Sequence, residues 1–124
     1  PASLTDAYAL IKVLSRDHGI HRAHVIANMI RSAADGYEMF EHLRRVSERF
    51  LDVHLNYLGG VPYAEYLQRA IRRQTAVVEA YPSAQSSVAF RNLAATVRKW
   101  PPPEGARGHV EFFVERLIGT GAYA

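Results

Sequence analysis

The stretch HVIANMIRSAADG, from His24 to Gly36, decides how the chain is read. It is apolar and partly β-branched through Val25 and Ile26, turns polar at Asn28 and Arg31, and then offers Ser32 as the cap of a helix. A buried strand passing at once into a helix is the start of a βα unit. In doubly wound folds, ligands gather at the C-terminal ends of strands, and Asn28 lies at such an end. Local sequence leaves Asn28 two readings. It is a strand-end amide satisfying nearby backbone, or a paired donor and acceptor presented to a ligand.

Working outward, Ser3 and Asp6 resemble a capping box with Asp in place of Glu. Ala7, Leu10, Ile11 and Leu14 then recur at helical spacing, and Asp17-His18-Gly19 ends that helix at Gly19. HRAHVIANM (21–29) predicts a buried strand. After Ser32, the residues Tyr37, Phe40, Leu43, Ser47 and Phe50 form one stripe of a second helix, with Arg44, Arg45, Glu48 and Arg49 on its other side. LDVHLNYLGGVPY (51–63) predicts a second strand ending in a Gly-Gly turn. Pro62 precedes a third helical pattern, with Leu67, Ala70 and Ile71 inward and Arg69, Arg72 and Arg73 outward. VVEAYP closes that segment at Pro82, and Ser83 caps a further helix in which Phe90, Leu93 and Val97 lead to Trp100.

The alternation of helices and strands predicts an α/β fold: two parallel strands with crossover helices, mostly helical by residue count. Two strands do not make a stable parallel sheet alone, and both would be edges, so the pattern asks for further strands. The opening PASLTDAY has no initiator Met and enters a helix at once, which predicts a fragment. The expected layout is a domain portion over 1–100, a Pro/Gly linker PPPEGARG over 101–108, and an amphipathic helix over 109–119.

The bulk of the sequence narrows the class without choosing a function. The chain has 124 residues, 48% hydrophobic and 22% charged, which suits one globular domain or part of one. Its net charge of +3 comes mostly from arginine, too mild a surplus to identify an acidic partner. It has no cysteine, which excludes disulfides and thiolate chemistry. No apolar run approaches the roughly 18 residues of a membrane span, and no basic-then-apolar signal peptide is present.

Taken in order, PASLTDAYALIKVL, ANMIRSAADGYEMF, RFLDVHLNYLGGVPYAEYLQRAIRRQTAVVEAYP, AFRNLA and the tail EFFVERLI resemble the C-terminal half of a MinD/ParA-type ATPase. Specifically, they are similar to the flagellar number regulators of the FlhG/FleN family. The resemblance implies the C-terminal part of a deviant-Walker P-loop fold, from a protein that forms a homodimer around ATP and Mg. It implies a cytoplasmic protein held at the inner face of the membrane, at the cell pole, through a C-terminal amphipathic helix. The implied protein partners are the flagellar GTPase FlhF and the transcriptional activator FleQ.

One departure limits what this chain does alone. A P-loop needs a glycine-rich turn ending in Lys, and here neither Lys12 nor Lys99 follows glycine. The family's magnesium-holding and water-orienting aspartates belong to its N-terminal half. No catalytic, phosphate or Mg ligand is therefore assigned, and this chain by itself is not expected to hydrolyse ATP.

The resemblance places a base-contacting Asn after the first strand, which here is Asn28. In the family an Arg often follows that Asn directly; here the order is Asn28-Met29-Ile30-Arg31, so Arg31 is a displaced candidate. The loop after the second strand packs a proline and the next residue against base and ribose, which gives Pro62 and Tyr63. Family members often carry an acid right after that tyrosine; this chain has Ala64, and Glu65 is the displaced equivalent. Without the resemblance, GGVPYAE reads as a tight turn feeding a helix.

Other features keep plainer readings. His18, His21 and His24 span a helix end, a turn and a strand start, so no metal is assigned. The arginines at 44, 45, 49, 69, 72 and 73 read as solvated helix faces or partner surfaces, with no aromatic interleaving to indicate direct nucleic-acid binding. In the tail, Val110, Phe113, Val114, Leu117 and Ile118 share a stripe, Phe112 is at its margin, and Glu111, Glu115 and Arg116 are polar. That helix either folds back on its own domain or, as the resemblance implies, is stowed in the monomer and released to the membrane in the ATP dimer. Two other classes stand beside the regulator: a stand-alone helical interaction module without nucleotide, and a weakly basic nucleic-acid binder.

Overall fold

The computed structural model describes residues 2–102. Its elements are α1 Ala2–His18, β1 Arg22–Ile30, α2 Ala33–Phe50, β2 His54–Pro62, α3 Glu65–Arg72, α4 Val77–Ala80 and α5 Gln85–Val97. The expected α/β class holds: β1 and β2 pair in parallel, α2 makes the crossover between them, and helices hold most of the described residues.

Local signals explain most boundaries. Gly19 adopts φ 64°, a conformation open to glycine, and lets the Ile20 amide turn back to the Leu14 carbonyl at 2.9 Å. Ser32 caps α2 as expected, its Oγ accepting from the Asp35 amide at 3.1 Å. Two other predicted caps are corrected. Helix α1 already includes Ala2, so Ser3 lies inside it and the capping box does not form. At α5 the cap position is Ala84, held by its amide's bond to the Tyr81 carbonyl, and Ser83 sits in the turn before it.

The strands run in step from Arg22 opposite His54 to Val25 opposite Tyr57. Ile26 then faces Gly59, which leaves Leu58 as an extra residue on β2. Asn28 faces Val61 and Ile30 faces Pro62, which leaves Met29 as an extra residue on β1. The slip on one strand is thus returned on the other. Met29 takes φ 58° to do so, and Gly59 takes φ 141°. The Gly-Gly pair expected as a turn therefore lies within β2, because the strand bulges at this point and continues to Pro62.

The core lies between the sheet and the α1–α2 pair. Ile11, Phe40, Leu43, Leu51 and Leu55 are buried together, and Leu4, Ala7, Tyr8, Ala23, Val25, Val53 and Tyr57 pack against them. Burying each large aliphatic side chain contributes about 1.5–3 kcal/mol. The other face of the sheet meets α5 and its end: Leu93 lies against Gly59, which the extra residue Leu58 turns to that face, and Trp100 stacks on His24 with ring centroids 4.2 Å apart.

Several predicted inward positions are not buried. Ile71 is 60% exposed because α3 is short and buries Ala70 one residue away, a rotation of about 100°. Leu10 stands on the outer side of α1. Tyr37 and Phe50 are also exposed: Tyr37 touches Tyr57 edge-on, and Phe50, at the end of α2, lies under the Arg49 guanidinium. The first strand is only half covered, with Ile26 46% exposed, since β1 has a strand on one side alone. The third predicted helix is two: Gln74 at φ 51° breaks it after Arg72, and Val77–Ala80 forms a separate turn of helix. Among the described residues no helix is long and apolar enough to cross a membrane. The predicted tail helix, with Val110, Phe113, Val114, Leu117 and Ile118, lies outside the described residues.

Candidate functional site

The parallel pairing brings the ends of β1 and β2 side by side, and the bulges set which residues meet there. Asn28 is opposite Val61, Ile30 is opposite Pro62, and the Tyr63 amide donates to the Ile30 carbonyl at 2.9 Å. Asn28, Arg31, Pro62 and Tyr63 therefore stand together at the C-terminal end of the strands, the end at which doubly wound folds collect ligands.

Asn28 is exposed, and its Oδ1 accepts from the Met29 amide at 3.0 Å. This bond is the local backbone role that a strand-end Asn fills, and the left-handed turn of Met29 makes it possible. It fixes the side chain with its oxygen turned to the backbone. Among the described residues the Nδ2 donors have no protein partner. The side chain is thus oriented by one end and available at the other.

Arg31 begins the turn into α2. Its amide donates to Asp35 Oδ2 at 3.2 Å while Ser32 Oγ takes the Asp35 amide, a reciprocal cap that holds this turn from both sides. Among the described residues the Arg31 guanidinium makes no ion pair. The start of α2 adds the positive end of a helix dipole beside it.

Beside them, Pro62 closes β2 and Tyr63 follows, 59% exposed. Together they present a ring edge and an aromatic face of the kind a planar base stacks on. Glu65 opens α3, and its Oε1 receives Arg69 Nη2 at 2.6 Å and Nε at 3.1 Å. That carboxylate is thus already bound within its own helix.

Of the supporting residues, the sequence marks Tyr37 and Phe40 as a helix stripe and does not single out Tyr57. Tyr57 packs against Phe40 and Tyr37, with centroids 5.1 and 5.7 Å away, and burial raises its phenol's pKa. Its hydroxyl reaches toward Gly36 of α2 and Gly60 of β2. The one signal available was the glycines themselves, read as a turn and a helix start. A methionine carries no signal for the left-handed conformation that Met29 adopts.

The three histidines do not converge. His18 ends α1, His21 Nδ1 lies 2.7 Å from the Asp52 carbonyl oxygen, and His24 stacks on Trp100. Among the described residues no group of three metal-ligating side chains comes together. Arg44 pairs with Glu41 and Glu48, at 2.8 and 2.7 Å, on the open face of α2.

Comparison with known proteins gives two relatives. Over 118 residues, 95% of this chain, it is 52% identical to antiactivator FleN of Pseudomonas aeruginosa, and it covers 42% of that protein. Over 75 residues, 60% of this chain, it is 32% identical to the flagellum site-determining protein YlxH of Helicobacter pylori, covering 25% of it. The chain thus spans less than half the length of either relative. No protein-family model matches it.

Proposed function

We propose, of a chain that belongs to the same FlhG/FleN family as antiactivator FleN, that it is the C-terminal part of a MinD-like ATPase governing flagellar number and placement. In this reading the chain supplies the adenine-recognition side of an ATP site, and the rest of the protein supplies the phosphate loop, the Mg ligands and the hydrolysis. The observation that carries it is the strand register, which places Asn28 and Arg31 beside Pro62 and Tyr63. Asn28 Nδ2 donates to a ring nitrogen of the base, and Tyr63 and Pro62 cover the base and ribose. Glu65, whose Oε1 is held by Arg69, offers its Oε2 to the ribose hydroxyls. Mg and the phosphates lie beyond these residues.

The other parts of the reading follow from the resemblance. The protein works as a homodimer bound to ATP. The name of the Pseudomonas aeruginosa relative, antiactivator FleN, points to a transcriptional activator as partner, FleQ in the family, with the GTPase FlhF as a second. The exposed arginine-bearing faces of α2 and α3 are the surfaces offered to such partners. The tail stripe of Val110, Phe113, Val114, Leu117 and Ile118 makes peripheral membrane contact from the cytoplasmic side.

The test uses the full-length protein and calorimetric titration. Asn28→Ala should weaken ATP binding by about tenfold, the loss of one well-placed hydrogen bond. Pyrophosphate, which has no base, should bind as before. Equal losses for both ligands would remove the base contact from the account.

A further inference from the structure

Ile30 is buried at the end of β1, 6% exposed, between two glycines from different elements. A Cβ built on Gly36 of α2 would stand 3.1 Å from both Cδ1 and Cγ2 of Ile30, and 2.7 Å from the Tyr57 hydroxyl. A Cβ built on Gly60 of β2 would overlap Ile30 Cδ1, and would stand 3.2 Å from the Tyr57 hydroxyl and 3.3 Å from Ile30 Cγ1. Neither glycine has the positive φ seen at Gly19 and Gly59. What both positions require is the absence of a side chain, because Ile30 occupies the space.

This seat adjoins every segment of the candidate site. Asn28 is two residues before Ile30 and Arg31 is the next residue; Pro62 and Tyr63 follow closely after Gly60. The Ile30 carbonyl also holds the Tyr63 amide. Gly36 lies in the first turn of α2, just after the cap that fixes Arg31. A shift of Ile30 therefore moves Asn28 and Arg31 against Pro62 and Tyr63.

We infer that Ile30, wedged between Gly36 and Gly60, is a positioning residue that sets the spacing of the two strand ends and so the affinity for the nucleobase. The inference rests on the base-site reading above and adds its device of adjustment. Recognition groups lose effect when displaced by more than roughly 0.5 Å. The contacts at Gly60 leave less room than that.

The experiment measures ATP and pyrophosphate binding to the full-length protein, with melting temperature alongside. Gly60→Ala should weaken ATP binding by about tenfold and change pyrophosphate binding by less than about twofold. Gly60→Ala combined with Ile30→Val should restore ATP binding, since valine lacks the Cδ1 atom that the new methyl meets. Loss of both ligands in proportion, or failure of the double variant to recover, would overturn the inference. Asn28→Ala separates the two levels. If it weakens ATP selectively while Gly60→Ala does nothing, the wedge fails and the base site stands; if it has no selective effect, the base site fails and the wedge with it. Should Gly60→Ala not fold, Gly36→Ala carries the same test. Its loss of ATP binding should be relieved further by Tyr57→Phe with Ile30→Val than by Tyr57→Phe alone, and equal relief by the two, or none, would overturn the inference.

Discussion

The amide of Tyr63 donates to the carbonyl of Ile30 at 2.9 Å, so the residue that leaves β2 is tied to the residue that ends β1. A parallel pair of strands has no hairpin to bring its ends together. Here one backbone bond does so, after compensating bulges at Leu58 and Met29 have returned the strands to step. The candidate site is therefore built from backbone geometry, and its side chains are carried on a frame that the core of α1, α2 and the sheet holds in place.

The reciprocal cap at the start of α2 gives the first prediction. Ser32→Ala should destabilise the full-length protein by about 1 kcal/mol, because the Asp35 amide loses its acceptor. Ser32→Asp should keep most of the stability, since a carboxylate accepts the same bond and suits the helix N-terminus. Chemical denaturation measures both. An alanine variant as stable as the parent would show that the cap contributes nothing.

The sequence showed the order of elements and the ends of the two strands, and missed what connects them. Gly19 and Ser32 act as they read because capping chemistry is local. Gly59 and Gly60 misled, since a glycine pair is a common turn signal, whereas here one glycine makes a bulge and the other makes room for Ile30. That second requirement comes from a residue thirty positions away and leaves no local trace. Ser3 and Ser83 carried cap chemistry, yet the helices started one or two residues off the predicted frame. Ile71 misled because a helical stripe does not say which of two adjacent apolar residues meets a neighbour. For the site, the family resemblance named Asn28, Pro62 and Tyr63, but only the register puts them at one end of the sheet together.

The ion pairs on α2 give a pH prediction. Hydrogen bonding from Arg44, opposed in part by desolvation and aided by its charge, holds the Glu41 carboxyl below the ordinary glutamate value. A depressed carboxyl stabilises the fold above its unfolded pKa and loses that contribution as pH falls through its folded value. Arg44→Met should therefore melt lower than the parent near neutral pH, with the gap closing in acid. Added salt should narrow the gap at neutral pH, because the pair is partly exposed to solvent. Parallel melting curves across the acid range would contradict the assignment.

The tail gives a prediction from sequence alone. Leu117→Glu places a charge in the apolar stripe of residues 110–118. With ATP, the full-length parent should float with anionic liposomes and the variant should remain at the bottom of the gradient. Equal flotation of both would remove this stripe from membrane contact.

The account turns on whether a nucleotide base lies between the ends of β1 and β2. Photolabelling of the full-length protein with 8-azido-ATP, followed by peptide mapping, tests this most directly. Label in the peptides carrying Asn28–Arg31 and Pro62–Tyr63, suppressed by excess ATP, is the predicted result. ATP-protected label found only in other peptides, with these two unmarked, would contradict it.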